Sequence, residues 1–190
     1  MSWNLPNALT WLRIGAIPLV MLLFMAGHRN PSGLGDTAAG LVFAAASITD
    51  TLDGYLARRL GQITPLGAFL DPVADKLIVA VALVLLVSRD PRLALVLSAV
   101  VIIGREIAVS ALREWMSELG HRAKVAVSAL GKYKTIMQMV GLSFLLYRHD
   151  LAGLPMYRTG LWLTALAALL TLVSMVIYLR AALPYLRSKP

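Results

Sequence analysis

The sequence predicts an all-α integral membrane protein, with six transmembrane helices preceded by a short N-terminal interfacial segment. Three observations carry that prediction. Of 190 residues, 58% are hydrophobic and 15% charged, where soluble domains are roughly half apolar and a quarter charged. The mean hydropathy is +0.73. Six apolar stretches, each able to reach the ~20 residues that span a ~30 Å hydrocarbon core, are separated by short connectors.

The elements follow in order. Trp3, Leu5, Leu9 and Leu12 share one helical face while Asn4, Asn7 and Arg13 lie elsewhere, which reads either as a segment lying on the membrane surface or as the start of helix 1. The spans are then expected at 5–27, 37–57, 66–88, 92–112, 125–147 and 158–179. Breakers mark the connectors: Asn30-Pro31-Ser32-Gly33, Asp90-Pro91, and Asp150 through Pro155. The Ala-, Leu- and Val-rich runs lack the strict alternation of barrel strands, so helices are the spanning form. With no internal repeat or linker, residues 1–190 read as a single transmembrane domain.

Composition excludes several chemistries. There is no cysteine, hence no disulfide, thiolate nucleophile or Cys-ligated metal. No basic run precedes the first apolar stretch, so a cleaved signal peptide is not expected. The net charge of +8 fits topological retention and attraction to anionic head groups, whereas nucleic-acid binding needs an exposed basic surface that little of this chain is free to form. With six spans, Arg58, Arg59, Arg113, Arg122, Lys124, Arg180, Arg187 and Lys189 share a side with the termini, and Arg29, Arg89, Arg92, Arg148 and Arg158 lie opposite. That bias places the termini in the cytoplasm.

Charges interrupt the apolar runs at one level: Arg13 in helix 1, Asp50 and Asp53 in helix 2, Asp71, Asp75 and Lys76 in helix 3, Arg105 and Glu106 in helix 4, Lys132 and Lys134 in helix 5. Counted from the outer ends, most lie roughly 18–24 Å deep. Each costs at least a few kcal/mol unless paired or wet, so a layer of them implies a shared polar cavity. Asp50 and Asp53 are spaced i,i+3 and Asp71 and Asp75 i,i+4, so each pair projects from one face. The short Leu60–Pro65 connector makes helices 2 and 3 antiparallel neighbours with the four carboxylates facing. Their mutual repulsion is relieved by a divalent cation, and all-oxygen ligands favour Mg²⁺, Mn²⁺ or Ca²⁺ over zinc. Structural pairing with Arg58, Lys76 or Arg105 is the competing reading, and an ion or proton transporter is a second functional one. Gly54, Ala57 and Gly67 keep the carboxylate face small, leaving room for a ligand or for close helix packing.

Together these residues form Asp50-x2-Asp53-Gly54-x2-Ala57-Arg58-x8-Gly67-x3-Asp71-x3-Asp75, which resembles the full signature of the CDP-alcohol phosphotransferase family. Leu5-Pro6-Asn7-Ala8-Leu9-Thr10-x2-Arg13 resembles the family's N-terminal segment. Phe69 through Lys76, Arg105-Glu106-Ile107, Ser110 through Met116, Gly131-Lys132-x-Lys134-Thr135 and Gln138-Met139 resemble its bacterial branch that forms phosphatidylglycerol phosphate. The resemblance runs from about residue 4 to 145; helix 6 adds nothing diagnostic.

The resemblance implies a homodimeric enzyme of the bacterial inner membrane, its site open to the cytoplasmic leaflet, that transfers the phosphatidyl group of CDP-diacylglycerol to sn-glycerol 3-phosphate and releases CMP. It implies two divalent cations, Mg²⁺ or Mn²⁺, held by Asp50, Asp53, Asp71 and Asp75, with Asp71 and Asp75 catalytic and Asp75 the base for the acceptor hydroxyl. Asn7, Thr10, Gly54, Ala57, Arg58 and Gly67 are the expected contacts of the CDP-lipid. A dianionic acceptor needs charge-assisted hydrogen bonds, for which Arg105, Arg113, Lys132 and Lys134 are the candidates. Arg113 has Glu114 and Glu118 as alternative partners, and Lys134 is long enough to snorkel. Inositol phosphate, serine or a second phosphatidylglycerol remain open as acceptors. His28, His121 and His149 show no metal-binding spacing and read as surface residues, while Trp115, Trp162 and Tyr178 read as interfacial or packing aromatics.

Overall fold

The computed structural model describes residues 5–29, 33–60, 65–118 and 129–187, with side chains described outside 5–7, 51–60, 65–66, 68, 129–132, 181 and 184–187. Among these residues the chain forms α1 Leu5–Arg29, α2 Leu34–Leu60, α3 Pro65–Arg89, α4 Leu93–Glu118, α5 Ala129–Tyr147 and α6 Met156–Arg187. Each expected span falls on one of these helices, except that 125–128 of the fifth lie outside the described residues. From Leu5 onward the chain is already within α1, with no break before the apolar run; Trp3 and Asn4 lie outside the described residues.

Even α5, the shortest at 19 residues, extends roughly 29 Å. Among the described residues, Ala8–Arg29, Leu93–Glu118 and Met156–Arg180 are long and apolar enough to cross a membrane. The other three helices carry the aspartates and lysines of the polar layer. The outer surface is apolar, with Leu12, Leu22, Ile48, Val84, Val100, Ile107 and Leu169 exposed and Trp162 78% exposed. A continuous belt of this kind is stable against lipid and not against water.

The helix ends follow local chemistry. Gly33 takes φ 73° and its carbonyl accepts Thr37 N–H to open α2. At the end of α5, Arg148 adopts φ 68° and its N–H bonds the Phe144 carbonyl, a left-handed cap of the kind glycine usually supplies. Leu151 and Leu154 then pair across Ala152 and Gly153, both at positive φ, a tight reversal that returns the chain to α6. Beside it Asp90 accepts hydrogen bonds from Tyr157 and from Arg92 at 2.7 Å, and Arg92 and Arg148 both lie over the Tyr157 ring. Burial pushes the Asp90 carboxyl up, but the hydrogen bonds from Arg92 and Tyr157 outweigh it and hold it below its ordinary 3.8.

In the packing, α1 lies on α2 and α3, α2 on α5, α3 on α4 and α5, and α6 on α4 and α5. The α5–α6 contact is a backbone approach: a Cβ on Gly160 would lie 2.8 Å from the Gly141 carbonyl oxygen. In lipid, where burial of apolar surface drives little association, such small-residue seams supply the van der Waals contact that joins helices. The main core gathers Val20, Phe24, Phe43, Leu83, Leu86, Leu95, Ile102, Leu142, Leu145 and Leu146. A second cluster of Val109, Met116, Tyr178 and Ala182 fixes α6 against α4 at the opposite end from the α5–α6 turn. Near the α3–α4 connector, buried Asp36 pairs with Arg89 at 2.5 Å, and the guanidinium covers the Phe24 ring.

Candidate active site

Three helices bring the described aspartates together. Asp50 lies on α2, and Asp71 and Asp75 lie one turn apart on α3, where i,i+4 spacing puts both on one face. Helix α1 contributes Thr10 and Arg13, also one turn apart. Arg13 is 1% exposed, and its Nη1 stands 2.9 Å from Asp50 Oδ1 and 2.5 Å from Asp75 Oδ1. Thr10, 2% exposed, donates its hydroxyl to Asp71 Oδ1 at 2.6 Å. Thr10 was expected over a nucleotide; in the structure its hydroxyl holds a carboxylate oxygen of Asp71.

The arrangement refines one expectation. Among the described residues α2 lies chiefly on α1 and α5, and α3 on α1, α4 and α5. The Asp50 and Asp75 carboxylates do face each other, close enough to share a hydrogen bond, and Arg13 contacts both. Carboxylates facing each other directly in a low-dielectric layer repel, and the guanidinium of a third helix, with five donors in a rigid fork, satisfies both. Among the described residues the cation between these acids is Arg13 rather than Lys76 or Arg105; the Arg58 side chain lies outside them. The missed signal was in the sequence: Arg13 sits at the same depth as the aspartates.

These acids adjoin a cavity of about 510 Å³ lined by Asp50, Asp75 and Lys76 on one side and by Arg105, Glu106, Ser110, Arg113, Glu114, Thr135 and Gln138 on the other. Pro72 also lines it and, lacking an N–H, leaves the carbonyl four residues back without its helical donor. At the far side Glu106 binds two cations, Arg105 Nη1 at 2.9 Å and Lys134 Nζ at 3.4 Å. Lys134 is buried and held in the bundle, so it does not snorkel. Arg113 is exposed to the cavity, and among the described residues no ion pair joins it to Glu114 or Glu118. The cavity thus has a side built on α2 and α3 that carries Asp50, Asp75 and Lys76, and a side built on α4 where Arg105 and Arg113 alternate with Glu106 and Glu114.

Of the other expected site residues, Gly67 is buried, while the side chains of Asn7, Asp53, Ala57, Arg58 and Lys132, and the surroundings of Gly54, lie outside the described residues. His28 and His149 are exposed as expected, although the His149 ring closes against Gly33; His121 lies outside. Tyr178 is a packing residue under Arg105. Glu106 and Gln138 were noted in the sequence but given no role in the site, and Ser174 was not noted. Ser174 could have been, because Thr164, Thr171, Ser174 and Tyr178 recur at helical spacing along one face of α6.

The donor chemistry fits a divalent cation. Every available ligand is a carboxylate oxygen, the donor of Mg²⁺, Mn²⁺ and Ca²⁺, and Asp50 and Asp75 already converge from different helices on one positive nitrogen. Among the described residues no group of three such ligands closes on its own.

Comparison with known proteins supplies the family. The chain is 47% identical over 182 residues, 96% of each chain, to the CDP-diacylglycerol–glycerol-3-phosphate 3-phosphatidyltransferases of Escherichia coli strain K12, Shigella flexneri serotype 5b and Shigella sonnei. A family model described as CDP-alcohol phosphatidyltransferase matches residues 3–181, nearly the whole chain and all the aspartates above. An acid-lined cavity inside a helical membrane bundle and a match of this extent lead to one conclusion: the chain belongs to the CDP-alcohol phosphatidyltransferase family.

Proposed function

We propose that the protein transfers the phosphatidyl group of CDP-diacylglycerol to sn-glycerol 3-phosphate, forming phosphatidylglycerol phosphate and releasing CMP. The observation that carries this reading is the two-sided cavity, with Asp50 and Asp75 facing a wall that holds Arg105 and Arg113. An acceptor that is itself a phosphate dianion calls for the guanidinium groups of Arg105 and Arg113; an acceptor without a phosphate, such as serine, gives them no such anion to bind. The names of the 47%-identical relatives support the same acceptor.

Asp50, Asp71 and Asp75, with Asp53, would hold two divalent cations, Mg²⁺ or Mn²⁺, which when bound neutralise the pyrophosphate and the departing CMP. Thr10 orients Asp71, and Arg13 keeps Asp50 and Asp75 within reach of one centre. Arg105 and Arg113 seat the acceptor phosphate so that its free hydroxyl points toward the side that carries Asp50 and Asp75. That hydroxyl attacks the lipid phosphorus in line: the new O–P bond forms as the P–O bond to CMP breaks, and the proton passes to the Asp75 carboxylate. Arg58 would contact the pyrophosphate, with Asn7, Gly54, Ala57 and Gly67 shaping the nucleotide side. The bias of Arg and Lys supports cytoplasmic termini and a cavity open to the cytoplasmic leaflet of a bacterial inner membrane, in a homodimer.

The test is an acceptor panel with purified protein, CDP-diacylglycerol and Mg²⁺ or Mn²⁺. CMP release with glycerol 3-phosphate, and not with inositol phosphate, serine or phosphatidylglycerol, is the expected result. Release with inositol phosphate alone would overturn the acceptor. Ion flux through liposomes in the absence of CDP-lipid would overturn the enzymatic reading.

A further inference from the structure

Helix α6 contributes no charge to the polar layer, yet it touches the layer's most buried cation of α4. Arg105 is 8% exposed and lines the cavity. Its Nη2 donates to Ser174 Oγ at 3.1 Å, and its guanidinium carbon stands 5.5 Å from the centroid of the Tyr178 ring. Ser174 and Tyr178 are one turn apart, so they present a hydroxyl and an aromatic face to the same group. Both are nearly buried. Further along the same face, Thr164 and Thr171 are equally buried, but their hydroxyls have no partner among the described residues. The residues engaged are those at the cavity end of the stripe.

We propose that Ser174 and Tyr178 are positioning residues for acceptor specificity: they hold the Arg105 guanidinium in the orientation that receives the acceptor phosphate. The proposal rests on the acceptor role given to Arg105 above. A guanidinium carries five N–H donors. Glu106 engages one on Nη1 and Ser174 one on Nη2, which leaves the second N–H of each Nη for an oxyanion. Arg gains most from such anchoring, because its planar fork binds phosphate in two places only when its long stem is fixed. The register of the anchor is set by Val109 and Met116 packing on Tyr178 and Ala182, so α6 cannot slide along α4 without moving the guanidinium. Neither residue reaches the aspartates, so their effect is confined to the acceptor side.

Steady-state kinetics of Ser174→Ala, Tyr178→Leu and Tyr178→Phe test this, each against glycerol 3-phosphate and CDP-diacylglycerol, with thermal denaturation run alongside. The alanine and leucine variants should raise KM for glycerol 3-phosphate about fivefold to tenfold, while kcat and KM for CDP-diacylglycerol stay within about twofold of wild type. Tyr178→Phe keeps the ring and should retain the wild-type KM. Equal changes in both KM values, a change in kcat alone, loss of melting temperature with no KM split, or no change would each overturn the proposal. A wild-type preparation inactive with glycerol 3-phosphate would overturn the functional reading and this one together, whereas an active wild type with unsplit variants overturns this one alone.

Discussion

Replacing Arg13 with methionine keeps the stem and removes the guanidinium between Asp50 and Asp75. Its Nη1 makes both contacts, at 2.9 and 2.5 Å, and the side chain is 1% exposed. A hydrogen bond to a charged group contributes about 1.5–3 kcal/mol, and removing one partner of a buried ion pair costs about 3–5 kcal/mol. Asp50 and Asp75 are 33% and 36% exposed, so solvent screens part of the loss and the lower figure, about 3 kcal/mol, applies. For a chain of this size that is a fall in melting temperature of about 6–12 °C. Thermal denaturation in detergent with a chelator present measures it. Saturating Mg²⁺ or Mn²⁺ should return part of the loss, because a ligand of the folded state stabilises it by mass action and the two carboxylates then have another positive partner. A variant melting within a degree or two of wild type in the chelator would refute the claim that Arg13 holds the acids together.

Asp71→Asn should leave the protein folded and abolish metal-dependent CMP release; full activity in that variant would remove Asp71 from the site. Thr10→Val removes the hydroxyl that orients Asp71 and should lower kcat/KM about tenfold, with a fall in melting temperature of about 3–6 °C from the lost charge-assisted bond. Gly160→Val drives a side chain into the Gly141 carbonyl and should destabilise the bundle by about 1–3 kcal/mol or more, read as a lower melting temperature. The Asp90 carboxyl is held below its ordinary value of 3.8, so its contribution to stability is fully present above that value and is lost as pH falls through the lower folded one. Wild type should therefore melt above Asp90→Asn at neutral pH, and the gap should close on acidification below the ordinary carboxylate range; a gap independent of pH would count against it.

The helices were legible because each is a long apolar run ended by Gly, Pro or Asp, and in a bilayer such a run has few alternatives to a helix. The polar layer was legible for the same reason, since an uncompensated charge at that depth is too costly to be incidental. Which helix lay beside which was less visible. The short Leu60–Pro65 connector suggested that helices 2 and 3 bring their carboxylates together, and Asp50 and Asp75 do meet, but it did not show that Arg13 and Thr10 of α1 join them. A connector's length limits how far two helix ends can separate but not what inserts between their faces. Glu106 was visible as a charge but not as a bracket, because its two partners come from its own helix and from α5, and no sequence spacing encodes the second. Ser174 was hidden by chemistry, because a serine in an apolar run leaves its hydropathy high; Tyr178 was read as an interfacial or packing aromatic, but nothing in the sequence paired it with Arg105.

A polar cavity sunk into a bilayer is also a hazard to the cell that makes it, since a file of water reaching the other side would conduct protons. The core described above meets that hazard. Phe43, Leu83, Ile102, Leu142 and Leu145 close the bundle between the cavity and the opposite face, and beyond them the Asp36–Arg89 pair under Phe24 ties α2 to α3 with its charges already matched. Among the described residues, then, apolar side chains and one matched ion pair stand between the cavity and that face. Substitutions that loosen this seal, such as Phe43→Gly, would harm a cell through leakage of its membrane potential even where the chemistry in the cavity continued.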